Sequence, residues 1–176
     1  LAGNIDEFDG AYMMTRLVDY IVEHLSQQIK AGCDTVQVFD SWASDLGEEH
    51  IIPYCYEPTA QIVERLRDLH PDVGIIVFPR LIGEEINNFS KYVNADCISL
   101  SDDMKTDWIL KRMGSQCLQG GIPPQVLLSE RKEEIIRGTV PMIRQMKDCA
   151  YVVNLAHGIN KETPVENVRF FIEIVK

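Results

Sequence analysis

The chain has 176 residues, of which 45% are apolar, with 11 Gly and 8 Pro. That is enough apolar material for one domain-sized core, or a large piece of one, and it argues against a disordered chain. Seventeen Lys and Arg against 27 Asp and Glu leave a net charge of −10. No basic block offers a nucleic-acid footprint, and no apolar run approaches the roughly 20 residues of a membrane span.

Residues 1–10 are acidic and read as a turn. From Tyr12 to Ile29, apolar side chains at Met14, Leu17, Val18, Ile21, Leu25 and Ile29 recur at helical spacing, and Gly32 stops the helix. TVQVFD (35–40) alternates as a short strand. The next helix reaches His70, with Ile62, Val63, Leu66 and Leu69 on one face and interruptions expected at Pro53 and Pro58. VGIIVF (73–78) is a continuous apolar run, as a strand covered on both faces requires. A short helix near Glu84–Tyr92 leads to a strand at DCISL (96–100). Thr106–Met113 reads as helix and Gln116–Gln119 as the fourth strand. Ser129–Lys147 reads as a helix that Gly138 and Pro141 should kink or break. AYVVN (150–154) is the fifth strand. The last helix is expected to start with Thr163 as N-cap, Pro164 at the first helical position and Glu166 three after the cap.

Strands alternating with helices imply a parallel sheet with right-handed crossovers, without an internal domain boundary. Five such strands fit either a doubly wound open sheet or part of an eight-stranded barrel, and periodicity does not separate the two. In both, chemistry gathers at the carboxyl ends of the strands. Those ends carry Phe39-Asp40-Ser41-Trp42, Phe78-Pro79-Arg80, Ser101-Asp102-Asp103, Gln119-Gly120-Gly121 and Asn154-Leu155-Ala156-His157-Gly158. One imidazole, one guanidinium, hydroxyls and carboxylates suit proton transfer or carboxylate recognition.

His157, in a short loop after an apolar strand, is the leading candidate, set against a structural role with both ring nitrogens satisfied. His24, His50 and His70 fall on helices and are expected to be solvated. Gly120-Gly121 matches no phosphate-binding loop. Asp102-Asp103 is either a carboxylate pair or a cap for the next helix. Ser41 lacks a nucleophile elbow. The five cysteines have no metal-ligand spacing, so reduced, mostly buried thiols and no metal site are expected.

Three segments carry more than their chemistry. QIKAGCDTVQVFDSWASDL (28–46) resembles the segment of uroporphyrinogen decarboxylases in which a helix ending in A-G leads to a strand ending F-D-S-W-A-G. VVNLAHGINKETPVENV (152–168) is similar to that family's N-L-G-H-G-I segment and the helix start that follows. LQGGIPPQVLL (118–128) sits where the family has a Q-G-N-L-D-P-like loop. The resemblance implies a (β/α)8 TIM barrel, with residues 1–176 as the carboxyl-terminal portion of that one domain and about five of its parallel strands. It also implies a cofactor-free carboxy-lyase that converts the four acetates of uroporphyrinogen to methyls, and a cytoplasmic homodimer. By that resemblance, Phe39 and Ser41 line the cleft, Ser41 and His157 contact substrate carboxylates, and Arg80 stands where many members carry a lysine.

Departures from the pattern are Ser44 for the second glycine of F-D-S-W-A-G, Gly121 and Pro123 in the loop, and Ser101-Asp102-Asp103 for a strand that often ends in D-W. The family's pyrrole-binding aspartate, its arginines and a cleft tyrosine are expected upstream of residue 1. Leu1, in place of Met, is accordingly expected to be an internal start, and the chain alone is expected to be inactive. The competing readings are a corrinoid/thiol methyltransferase of the same superfamily, which would need a His-x-Cys zinc set, and a non-catalytic half-barrel.

Overall fold

The computed structural model describes residues 7–176. Helix α1 (Glu7–Lys30) buries Val18, Val22 and Leu25, one stripe of its surface. Residues 7–10, expected as turn, form its first helical residues, and the rest of that expected turn lies outside the described residues. Leu17, expected in the core, is 49% exposed and shares an outward face with Tyr12, Met13 and Tyr20. Gly32, at φ +108°, ends the helix in the left-handed region that favours glycine.

Five strands follow, β1 (Thr35–Asp40), β2 (Gly74–Pro79), β3 (Cys97–Leu100), β4 (Cys117–Gly120) and β5 (Tyr151–Val152). All pair in parallel, in the spatial order β1-β2-β3-β4-β5. That order decides between the two architectures. A doubly wound sheet reverses direction at a switch point, whereas here every crossover steps the same way and sends its helix to the same face. This is the winding of a TIM barrel, with β1 and β5 as the free edges among the described residues.

The helices α2 (Glu48–Ile51), α3 (Glu57–Leu69), α4 (Ile86–Val93), α5 (Thr106–Met113), α6 (Lys132–Gln145) and α7 (Val165–Val175) complete the chain. Val36, Val38, Ile75, Val77, Ile98, Leu100 and Leu118 share one core cluster with Val18, Val22, Leu66, Phe89, Ile109 and Met113 of these helices. Alternate strand residues, Gln37, Phe39, Ser99 and Gln119 among them, face the other way. The Arg65 guanidinium donates to Asp19 Oδ1 at 2.8 Å, tying α3 to α1 at the surface. Among the described residues no helix is long and apolar enough to cross a membrane.

The prolines act differently from expectation. Pro53 and Pro58 do not interrupt the helical run, because Ile52–Tyr56 widens into a π turn between α2 and α3. The Glu57 N–H reaches Ile52 O, five residues back, which accommodates the N–H that Pro58 lacks. Helix α6 likewise continues through Pro141, and helical bonding resumes with the Met146 N–H on Met142 O. Gly138 lets α6 approach the 310 turn Pro124–Leu128: a Cβ there would lie 2.5 Å from Val126 Cγ1. Thr163 is not the cap of α7. Pro164 takes the N-cap position in an extended conformation, φ −62° and ψ 133°, without any side-chain cap. Asn167 anchors the helix instead, its amide donating to Leu127 O at 2.8 Å and Ser129 O at 2.9 Å.

Gly120 (φ +79°) and Gly121 (φ +85°) end β4 in the left-handed region. A Cβ at Gly120 would sit 3.0 Å from Leu155 O and 3.2 Å from Leu100 O, both rigid backbone atoms. Gly120→Ala is therefore expected to lose about 1–3 kcal/mol of stability. Urea denaturation checks this, and an unchanged midpoint would contradict it.

Candidate active site

At the end of β1, Phe39 stands 65% exposed on the sheet face away from the helices, and the chain then turns sharply. The Trp42 N–H donates to Asp40 Oδ1 at 3.3 Å, so Asp40 builds the turn and leaves Ser41 at the rim. The buried Cys55 thiol also lies against Asp40; burial first, and then that carboxylate, push its pKa up. At the end of β2, Arg80 N–H donates to Asp40 O at 3.0 Å and continues the ladder by one residue. Leu81 then adopts φ +59°, a strained conformation for a leucine, and its N–H donates to Ser101 Oγ at 2.9 Å.

The fifth strand end closes the opposite side. Ala156 N–H donates to Ile122 O at 2.7 Å, beside the isolated bridge Ile122–Leu155, and this delivers His157 to the rim. His157 Nδ1 lies 2.8 Å from Gly158 O. A carbonyl only accepts, so Nδ1 carries the hydrogen and Nε2 is the nitrogen left for a ligand.

These ends enclose one cleft of about 250 Å³ that brings together Phe39, Ser41, Arg80 and His157. All four residues singled out from the sequence therefore meet at one place. Phe78 packs edge-to-face on Phe39, with ring centroids 6.2 Å apart, and forms an apolar wall. The lining also includes Gln37 and Ser99, which sequence reasoning missed. They belong to a buried polar layer: Gln119 donates its amide hydrogens to Gln37 Oε1 at 3.0 Å and to Ser99 Oγ at 3.3 Å. A signal existed, since each of these polar residues sits between apolar neighbours of opposite parity in its strand.

Charge in the cleft runs opposite to that of the chain. Its lining holds one guanidinium, one imidazole and two hydroxyls, and no carboxylate. Arg80 makes no ion pair among the described residues. Such a site can bind carboxylates and exchange a proton at His157 Nε2.

Other candidates lie elsewhere. Asp102 and Asp103 are outside the cleft, and neither caps α5, whose N-cap Lys105 has no side-chain cap. His24 is exposed and contacts Gln28. His50 is exposed near Glu49 and Tyr54, in a groove between the helices. His70, expected in solvent, is half-buried, with Nε2 3.0 Å from Ser26 Oγ. None of the five free cysteines lines the cleft; Cys33 is exposed, Cys55 and Cys97 are buried, and Cys117 and Cys149 are half-buried.

The family model described as Uroporphyrinogen decarboxylase (URO-D) matches residues 9–176. Among curated relatives, the uroporphyrinogen decarboxylase of Orientia tsutsugamushi is 34% identical over 160 residues, covering 91% of this chain and 47% of that protein. The one from Cereibacter sphaeroides is 31% identical over 166 residues, covering 93% of this chain and 48% of its own length. The one from Paracoccus denitrificans is 31% identical over 167 residues, covering 94% and 48% respectively. The chain thus spans about half the length of the curated relatives it matches.

Beneath the rim, the Tyr151 hydroxyl donates to Gly120 O at 2.6 Å. Burial pushes its pKa up to about 12. An unfolded tyrosine ionises near about 10, so the unfolded state releases this proton first. The stability that Tyr151 confers is complete below about pH 10 and is lost as pH rises towards about 12. Tyr151→Phe is expected to flatten part of the alkaline fall in stability, measured by urea denaturation between pH 8 and 11.5. An unchanged slope would contradict this.

Proposed function

Because the chain belongs to the uroporphyrinogen decarboxylase family, we propose that it forms the carboxyl-terminal part of a TIM-barrel carboxy-lyase acting on uroporphyrinogen. The reaction is cofactor-independent loss of carbon dioxide from the four acetate side chains, giving coproporphyrinogen. One observation carries this reading: Phe39, Ser41, Arg80 and His157 converge on a single cleft whose lining is free of carboxylates.

The chemistry needs no external electron sink. A proton added to a pyrrole carbon makes the ring itself the acceptor of the electron pair that the departing carboxylate leaves behind. The methylene that remains takes up a proton as the ring loses one. Each turn therefore consumes one proton and converts a CH2–CO2− group to CH3 plus CO2. The protein's work is to hold carboxylates, shelter a transient cation and deliver protons.

Within the proposed site, Arg80 supplies a charge-assisted donor fork for a substrate carboxylate, and Ser41 a neutral donor. His157, with Nδ1–H committed to Gly158 O, presents Nε2 to a proton, and the imidazolium so formed donates from Nε2 to a second carboxylate. The Phe39–Phe78 wall offers pyrrole rings an apolar face. No residue of this chain is assigned to the family's pyrrole-binding aspartate, and a 250 Å³ cleft is smaller than the roughly 300–1,000 Å³ of drug-sized ligand sites. A tetrapyrrole with eight carboxylates needs more enclosure, which further strands on the open edges of β1 and β5 would supply. The working protein is further proposed to be a cytoplasmic homodimer.

The purified 176-residue chain, given uroporphyrinogen anaerobically, is expected to yield no coproporphyrinogen. Sustained product formation would contradict the assignment of essential groups outside it. In a longer polypeptide that contains this segment and decarboxylates uroporphyrinogen, Arg80→Met and His157→Phe are each expected to lower kcat/KM by about 10–100-fold, the loss of one charge-assisted contact. Unchanged kcat/KM in both would contradict the proposed site.

A further inference from the structure

The inner face of the sheet carries a second feature, one layer below the Ser99–Gln119 layer and apart from the cleft. Cys97 opens β3 and Cys117 opens β4, and the parallel register sets them directly opposite each other. Both share the parity of Ser99 and Gln119, whose side chains meet on the inner face, while Ile98 and Leu118 between them enter the helix-side core. Adjacent strands lie about 4.8 Å apart. Two thiols pointing the same way across that spacing can share one ion, since two metal–sulfur bonds of roughly 2.3 Å span a similar distance.

The surroundings choose the kind of ion. No group of three or more His, Cys, Asp and Glu side chains that could hold a metal ion occurs among the described residues, so the further ligands of a tetrahedral zinc site are absent there. Asp96, the carboxylate next to Cys97 in the chain, is already committed: Oδ1 accepts from Arg67 at 3.1 Å and Oδ2 from the Ile75 N–H at 2.8 Å. Ile76 faces Cys97 from β2, and the layer above is neutral. Two soft sulfur donors with no third ligand suit a soft ion that accepts two-coordination.

We propose that Cys97 and Cys117 form a two-coordinate dithiolate site for a thiophilic ion of the Cu(I) class. Binding exchanges the two S–H protons for two metal–sulfur bonds, Cu+ plus two thiols giving a bis-thiolate complex and two free protons, with no change of oxidation state. Cys117, half-buried, is the entry side, and buried Cys97 is the second ligand. The site is independent of the decarboxylase reading.

The test is an anaerobic titration of the reduced full chain with Cu(I) against a chromogenic Cu(I) chelator. One ion per chain is expected to be retained. Cys97→Ser and Cys117→Ser should each weaken it on the order of 100-fold or more, the loss of a chelating partner, while Cys33→Ser and Cys149→Ser leave it unchanged. Maleimide labelling of the unsubstituted protein gives a readout that does not depend on how the variants fold: bound copper should protect Cys97 and Cys117 and leave Cys33 reactive. Failure of the chain to outcompete the chelator, undiminished binding in folded Cys97→Ser, or labelling of Cys117 at the same rate with copper bound would overturn the proposal.

Discussion

The two-residue alternation of side chains along five parallel, in-register strands is the constraint on which everything else rests. It sends Val36, Val38, Ile75, Val77, Ile98 and Leu100 into a core shared with the helices. It sends Gln37, Ser99 and Gln119 to the opposite face, where they join in one hydrogen-bonded layer. A slip of one residue in any strand would exchange those sets and bury the amides against leucines. Because all strands run the same way, all their carboxyl ends reach the same rim, and side chains from three distant segments, Phe39 with Ser41, Arg80 and His157, become neighbours there.

Much of this could be read from the chain, and the reasons for the rest are local. Apolar runs such as VGIIVF announce strands covered on both faces, so β2 begins one residue from its expected start. The fifth strand is shorter than its apolar run: its pairing with β4 ends at Gln119 and Val152, the left-handed pair Gly120-Gly121 follows, and the Ile122–Leu155 bridge lies beyond it. Prolines 53, 58 and 141 looked like breaks. A widened turn and resumed bonding absorb them, which propensity does not foresee. The choice between open sheet and barrel depends on spatial strand order, and no periodicity encodes that.

The candidate site was legible where chemistry coincided with strand ends, as at Ser41, Arg80 and His157. It was illegible where function lies in hydrogen bonding between distant residues. Gln37 and Gln119 are 82 positions apart and look unremarkable until β1 and β4 meet the same face. Net charge also misled when taken whole. The chain carries −10, but the cleft lining holds no carboxylate.

The central claim is that Ser41, Arg80 and His157 form one carboxylate-receiving site at the rim of the sheet. An NMR titration of the chain with uroporphyrin, which carries the same eight carboxylates on a stable ring, tests it most directly. The expected result is that the largest chemical-shift changes fall on these three residues, with smaller ones at Phe39 and Gln37. Changes confined to the outer faces of the helices, or none at these side chains at millimolar ligand, would contradict it.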